Sequence, residues 1–295
     1  MRRRVLFIYN PHAGTGLVRS ALSDILDTFA KADFEIVVHP TQYRGDATDV
    51  VREHAAEYDR IVCAGGDGTL DEVVSGVMES GVDVEVGYLP AGSTNDYGNS
   101  LGLDKDLRYA AQTAASGRPF SVDIGSFNDK YFIYVAAFGM FTEVSYQTPQ
   151  EMKNVFGHGA YIMEAVKQLA DIPSVRLQVE CNGEVIYGEF IYGMITNATS
   201  VGGISGIIPG DVSLHDEKFE VTLVRMPANP LELTEIVSFF AGTSRDTNLV
   251  YNTQTSDIKF TSKKPIPWTL DGEFGGEHEV VRIRVIPGAV NIIVE

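Results

Sequence analysis

The stretch DRIVCAGGDGTLDEVVSGV, residues 59–77, decides how the first part of the chain is read. An apolar run, Ile61-Val62-Cys63-Ala64, ends in Gly65-Gly66-Asp67-Gly68-Thr69. A helical pattern then begins at Leu70 and continues through Val73, Val74 and Val77. A short apolar run bounded by turn residues reads as a buried strand, and the periodicity after it reads as a helix. Strand, glycine-rich junction and helix together form the repeating unit of a parallel α/β sheet.

The flanking sequence keeps that rhythm. Strands are expected at Val5 to Tyr9, Phe34 to His39, Ile61 to Ala64 and Val84 to Tyr88. Helices are expected at Leu17 to Ala30, Asp46 to Glu57, Leu70 to Met78 and Lys105 to Ser116, the last closed by Gly117. Beyond residue 125 the texture changes to strands at Tyr131 to Phe138, Val175 to Glu180, Val185 to Ile195, Phe219 to Val224, Ile258 to Thr261, Val280 to Ile286 and Val290 to Val294. Asn182-Gly183 between two of these is a hairpin signal. Helical segments are expected at Ala160 to Ala170, where Tyr161, Ile162, Ala165, Val166 and Leu169 form one stripe, and at Leu231 to Phe240. The expectation is an α/β domain over residues 1–125 and a β-rich domain over 126–295.

The chain has 295 residues, 44% of them hydrophobic, enough for two cores. Its formal net charge is −17 and is spread evenly: residues 1–125 carry 11 Lys and Arg against 19 Asp and Glu. Such a field repels nucleic acid and anionic surfaces at long range, which argues against a nucleic-acid partner. The opening Met1-Arg2-Arg3-Arg4 followed by Val5 to Tyr9 reads as a first strand and not as a secretory leader. Two distant cysteines, Cys63 and Cys181, suit a reducing cytoplasm, and Cys63 reads as a small core residue. The six histidines, His12, His39, His54, His158, His215 and His278, show no metal spacing.

Three glycine-rich loops follow expected strands: Asn10-Pro11-His12-Ala13-Gly14-Thr15-Gly16, Gly65-Gly66-Asp67-Gly68-Thr69, and Pro90-Ala91-Gly92-Ser93-Thr94-Asn95-Asp96. Ligands of open α/β sheets sit outside the carboxyl ends of the strands, and helix starts offer N–H groups to anions. The three loops therefore read as a phosphate cradle, against the plainer reading of tight turns in which Asp67 or Thr69 caps a helix. No GxxxxGK string occurs, so phosphate charge has to be met by backbone amides, helix ends and Mg²⁺. Asp67, Asp96 and Asp123 are candidates for that ion, directly or through water, with a solvated strand end as the alternative for Asp123. Asp271 and Glu273 flank Gly272 after an apolar strand. They read either as a carboxylate pair on one face, able to accept a hydroxyl proton, or as a plain Asp-Gly turn.

Taken together, GGDGTLDEVVSG with NPHAG before it and GSTNDYG after it resembles the catalytic domain of the diacylglycerol kinase family, which includes soluble bacterial lipid kinases and sphingosine kinases. VGGISGIIPGDVSLHDEKFEV and WTLDGEF extend the resemblance over nearly the whole chain. The ordered set is more specific than GGDGT alone, which NAD kinases and some phosphofructokinases share. The resemblance implies a Rossmann-like nucleotide-binding α/β domain, a C-terminal β-sandwich and an active site in the cleft between them. It implies an ATP- and Mg²⁺-dependent lipid kinase with ATP near Asn10, Pro11, His12, Ala13, Gly14, Thr41, Gly65, Gly66, Asp67, Gly68, Thr69, Glu72 and Thr94. It further implies an acidic water–metal network at Asp67, Asp96 and Asp123, and a structural Mg²⁺ at Asp216 completed by the backbone carbonyls of Ser213 and Lys218. Asp271 would be the base, with Glu273 assisting.

The sequence departs from that pattern at Thr15 and His158, where relatives tend to carry lysine, and at Asn99, where an arginine often stands. The stretch Ile204-Ser205-Gly206-Ile207-Ile208-Pro209 reads either as an acyl-chain or bilayer contact or as a covered loop. A lipid substrate and peripheral membrane contact follow as expectations for a cytoplasmic protein, and a homodimer stays open. The rival readings are a dinucleotide kinase resembling NAD kinase and a lipid- or nucleotide-binding homologue without turnover.

Overall fold

Val5, Phe7 and Ile8 are fully buried, as are Ile61, Val62, Cys63 and Ala64. Such runs are apolar on both faces because helices cover both sides of a parallel sheet. In the computed structural model, which describes residues 2–14, 16–139, 173–202, 204–205, 212–240 and 247–295, they form strands β1 (Arg3–Tyr9) and β3 (Arg60–Gly65). With β2 (Phe34–Pro40) and β4 (Glu85–Pro90) they build a parallel sheet in the order β2-β1-β3-β4.

The strands alternate with α1 (Leu17–Lys31), α2 (Asp46–His54), α3 (Asp67–Ser80), the short α4 (Asp96–Ser100) and α5 (Leu107–Ser116). Val18, Ile25 and Phe29 of α1 and Ala110, Ala111 and Ala114 of α5 face the same core as Val5, Phe7 and Val62. Helix α5 starts two residues later than its periodicity suggests, because the Asp106 carboxylate accepts a hydrogen bond from Arg108 N and so fixes the cap. The helix expected over Asp46 to Glu57 is divided into α2 and a 3-10 turn, Ala55–Glu57.

The chain forms two units: residues 1–124, 214–216 and 286–295, and residues 125–213 and 217–285. The boundary expected at 125/126 therefore misses two returns to the first unit. The second has a plain cause. Strand β15 (Glu273–Val294) brings Ile292 into parallel pairing with Val86 of β4, extending the first unit's sheet by one strand. Strand β5 (Arg118–Phe127) adds its first part to the same unit, where Ser121 Oγ donates to Asn291 Oδ1 at 2.7 Å.

The second unit is antiparallel. It contains β6 (Lys130–Phe132), β7 (Val135–Gly139), β8 (Val175–Cys181), β9 (Glu184–Thr196), the small β10 (Ser200–Val201) and β11 (Ile204–Ser205) pair, β12 (Phe219–Arg225), β13 (Val250–Thr255) and β14 (Asp257–Leu270). Each of the long strands β9 and β14 pairs with β8 along one half and with β7 along the other. The core between them is aromatic: Trp268 lies 5.2 Å from Phe127, 4.8 Å from Phe138 and 5.1 Å from Phe260, centroid to centroid. Helix α6 (Pro230–Phe240) packs Ile236 on Ile191, Val224 and Val250. The strand expected over Tyr131 to Phe138 is interrupted at Ile133-Tyr134, for a reason that belongs to the site. Thr15, His158, the helix expected at 160–170 and residues 206–209 of the apolar loop lie outside the described residues.

Candidate functional site

The loops after β2, β1, β3 and β4, Thr41 to Gly45, Asn10 to Gly14, Gly65-Gly66 and Ala91 to Asn95, leave the carboxyl ends of adjacent parallel strands, so they share one edge of the sheet. Backbone bonds fix their bases: Asn10 N donates to Ala64 O at 3.0 Å, Thr41 N to Tyr9 O at 2.9 Å, and Ala91 N to Gly65 O at 2.7 Å. The loops then approach more closely than side chains would permit. A Cβ on Gly14, where φ is +57°, would lie 2.6 Å from Ala91 O, and one on Gly92 would lie 2.5 Å from the Cα of Gly66. These two glycines are accounted for by packing.

Gly68 is not. Among the described residues a Cβ there would meet nothing within 4 Å, and its φ is not positive. A glycine in a helix's first turn costs stability relative to alanine, so its use where the chain leaves open space favours an incoming group. Gly66 caps α3 with no side-chain hydrogen bond. The start of α3 thus presents N–H groups and the positive end of the helix dipole beside an open position, which suits a phosphate.

The carboxylates expected there do other work. Asp67 accepts from Asp96 N at 2.9 Å and Tyr97 N at 3.3 Å, so it caps α4. Glu72 accepts from Gly45 N at 2.8 Å and Ala47 N at 3.2 Å at the start of α2, and so is committed to the protein's own backbone. Asp123 is buried and accepts from Gly288 N at 2.8 Å, while its own N–H donates to Leu214 O, so it is no solvated strand end. Asp96 is buried, and Thr69 packs against Gly65. Thr94 is half-buried, its carbonyl accepting from Asn99 Nδ2 at 3.2 Å. Asn10 Oδ1 accepts from His12 N at 2.8 Å; His12 is exposed and Ala13 is buried.

No group of three or more His, Cys, Asp or Glu side chains able to hold a metal occurs among the described residues. A direct cage of Asp67, Asp96 and Asp123 is therefore not formed. The donor set does fit Mg²⁺ in its usual manner, held by one or two carboxylates, waters and phosphate oxygens. Asp216 is exposed in the first unit, and Ser213 and Lys218 belong to the second.

In the second unit, β14 and β15 meet in a two-residue turn, Asp271-Gly272, with φ of +50° and +85°. That is the Asp-Gly turn of a tight hairpin. Asp271 lies in the turn and not in a strand, so alternation does not set its direction relative to Glu273. Its carboxylate, 5% exposed, turns back to accept from Ile133 N at 2.6 Å, Tyr134 N at 3.0 Å and Val135 N at 2.9 Å. This cluster of donors is what interrupts the expected strand between β6 and β7. Glu273 begins β15 opposite Leu270 and is half-buried. The three backbone donors were invisible in the sequence, since no side-chain type marks them. Trp268, three residues before the turn, holds a buried indole N–H with no acceptor among the described residues.

Elsewhere, burial pushes the Cys63 thiol up and out of the reactive range. Arg2 pairs with Asp33 at 2.8 Å, Arg3 lies over the Phe34 ring at 4.2 Å, and the Arg4 guanidinium donates to Glu57 O at 2.8 Å and lies 4.0 Å from the Glu57 carboxylate. The basic N-terminal stretch is thus matched by the protein's own groups.

Residues 4–127 match the diacylglycerol kinase catalytic domain, and residues 135–294 match the YegS C-terminal NAD kinase beta sandwich-like domain. Curated relatives include the diacylglycerol kinase of Staphylococcus carnosus, 34% identical over 94% of this chain and 90% of the relative. Another is that of Bacillus subtilis, 33% identical over 93% and 91%. The crystal structure of a diacylglycerol kinase from Bacillus anthracis str. Sterne matches with a TM-score of 0.77 at 22% identity, covering 100% of this chain and 97% of that one. Another Bacillus anthracis structure gives 0.81 at 24%, covering 100% and 98%. Both structures bear on the fold, an α/β N-terminal domain and a β-rich C-terminal one.

Proposed function

The chain belongs to the diacylglycerol kinase family and is a kinase, and from that premise we propose that it transfers the γ-phosphoryl group of ATP to a lipid hydroxyl, on diacylglycerol or a related lipid. The observation that carries the nucleotide half of this reading is the start of α3, without a side-chain cap, beside Gly68, whose missing side chain no described residue accounts for. The loops Asn10 to Gly14, Gly65 to Thr69 and the segment around Thr94 surround it on one sheet edge and supply backbone N–H groups to phosphate oxygens. Phosphoryl transfer asks little covalent chemistry of a protein and depends on positioning and on charge stabilisation. Mg²⁺, when bound, neutralises phosphate charge, and Asp67, Asp96 and Asp123 would hold it largely through water, with Asp216 as a ligand for a separate structural ion.

The acceptor hydroxyl must lose a proton. Asp271 is the base in this proposal, its carboxylate oriented by three backbone donors before any substrate arrives, and Glu273 assists. A lipid acceptor requires the protein to reach a bilayer. No helix among the described residues is long and apolar enough to cross one, and the proposal is peripheral, transient contact from the cytoplasm.

The test is transfer of label from γ-labelled ATP, with Mg²⁺, to a panel of neutral glycerolipids and sphingolipids in mixed micelles, with NAD alongside. Label entering a lipid with wild type but not with Asp271→Asn is the expected outcome. Label entering NAD instead would reassign the acceptor. No label in any acceptor, with ATP still raising the melting temperature, would reduce the protein to a binding homologue.

A further inference from the structure

The loop between β2 and α2, Thr41-Gln42-Tyr43-Arg44-Gly45, is fixed from outside itself at both ends. At its start, Thr41 N donates to Tyr9 O at 2.9 Å, tying it to the end of β1. The next amide, Gln42 N, donates to the buried carboxylate of Asp46 at 2.7 Å, whose same oxygen lies 3.1 Å from His39 Nε2. At its far end, Gly45 adopts φ +86° with open space around its missing side chain, and its N–H reaches Glu72 Oε1 at 2.8 Å. The second carboxylate oxygen of Glu72 takes Ala47 N at 3.2 Å, and Thr48 Oγ1 donates to Glu72 O at 2.9 Å.

Glycine at the cap of α2 offers no side chain of its own, and Glu72 supplies the missing acceptor from a neighbouring helix. A carboxylate in that place also complements the dipole of α2. Glu72 stands on α3, five residues after Asp67, on the helix whose open first turn forms the nucleotide cradle. One helix therefore both begins at the cradle and holds the loop that carries Thr41.

We propose that Glu72 is a positioning residue for the nucleotide: its carboxylate fixes the Thr41–Gly45 loop, and through that loop Thr41, in the form that ATP meets. This rests on the reading of the first unit as an ATP site. The role is distinct from direct contact, because both carboxylate oxygens are committed to backbone N–H groups 27 and 25 positions earlier in the chain. Ordering the loop before ATP arrives removes an entropic cost that binding would otherwise carry.

Glu72→Gln tests this at nearly constant shape, because an amide offers one acceptor oxygen where the carboxylate offers two. Two quantities are measured on the full chain: amide hydrogen exchange at Gly45 and Ala47 without ligand, and the dissociation constant for Mg·ATP by calorimetry. The expected result is faster exchange at one or both amides and affinity weakened about tenfold, the size of one lost charge-assisted bond. Thr41→Ala should weaken binding alone but add little in the Glu72→Gln background, since both act through one loop. Weaker affinity with unchanged exchange would make Glu72 a direct ligand and overturn the proposal. So would faster exchange with unchanged affinity, or full additivity with Thr41→Ala. If wild type binds no Mg·ATP while Gly45 and Ala47 stay protected, the ATP reading itself fails and takes this role with it.

Discussion

Asp67 and Asp96, 29 positions apart, are joined by a 2.9 Å hydrogen bond from the backbone N–H of Asp96 to the carboxylate of Asp67. The second oxygen takes Tyr97 N. A five-residue helix cannot hold itself in water, and the residue that caps α4, Asn95, makes no capping bond with its side chain. The acidic residue of the GGDGT loop thus starts the helix of the GSTND loop and fixes the distance between the two.

Replacing Asp67 by Ala should therefore unravel α4 before it affects the rest of the first unit. Amide exchange at Asp96 and Tyr97 should rise towards that of a loop, with a global loss of about 1–3 kcal/mol for the acceptors removed. Asp67→Asn keeps one acceptor oxygen and should fall between. Unchanged exchange at both amides in Asp67→Ala would show that α4 is held by other contacts.

Gly68→Ala separates stability from ligand binding. No described atom lies within 4 Å of the added methyl group, and the backbone is already helical. Alanine should raise stability by about 0.5 kcal/mol through helix propensity and a less flexible unfolded chain. The same methyl group stands where the cradle is open, so Mg·ATP affinity should fall. A more stable protein that binds ATP less well is the expected pair of results from urea melts and calorimetry. Unimpaired affinity would mean that the phosphates lie elsewhere.

What was legible in the sequence and what was not follows from range. The strand-to-helix junction at Gly65 to Thr69 could be read locally, because an apolar run, three glycines and helical spacing fall within 19 residues. Helix α4 could not, since its support comes from Asp67. Nor could the break at Ile133-Tyr134, which is imposed by a carboxylate about 137 residues later in the chain. Strand β13 was missed because it is an edge strand whose central residues, Asn252, Thr253 and Gln254, give no apolar alternation; its pairing with β12 defines it. The roles of Asp67 and Glu72 were read from residue type and resemblance, which identify a carboxylate but not which N–H groups have already claimed it.

Asp271 and Glu273 should differ in how they fail. Asp271→Ala leaves the N–H groups of Ile133, Tyr134 and Val135 without their acceptor in a buried place, which should cost about 3 kcal/mol and abolish transfer. Asp271→Asn should be milder in urea melts yet nearly as severe in turnover, since an amide cannot accept the hydroxyl proton. Glu273→Gln, at a half-buried position and nearly constant shape, should cost less stability than Asp271→Ala in urea melts, and lower turnover without abolishing it. If Glu273→Gln removes turnover while Asp271→Asn retains it, the base is Glu273 and Asp271 only holds the turn.

Acid stability of the second unit should depend on Asp257. Its carboxyl is held below the ordinary carboxylate value chiefly by the hydrogen bond from Arg282, with the charges of Arg282 and Arg284 adding to the effect. The Arg282 Nε lies 2.9 Å from Oδ1, and Arg284 Nε lies 3.6 Å from Oδ2. A carboxyl with a depressed folded-state pKa contributes stability that is fully present above its unfolded value, near 3.8. That contribution is lost as pH falls through the lower folded value. The pair is only half-buried, so solvent and salt screen it and the effect is modest. Wild type should melt above Asp257→Asn at pH ~7, and the gap should narrow progressively as pH falls below about 4. Raising salt at neutral pH should narrow the same gap. A difference that persists unchanged at low pH would assign the effect of the substitution to packing in β14 instead of to the ion pair.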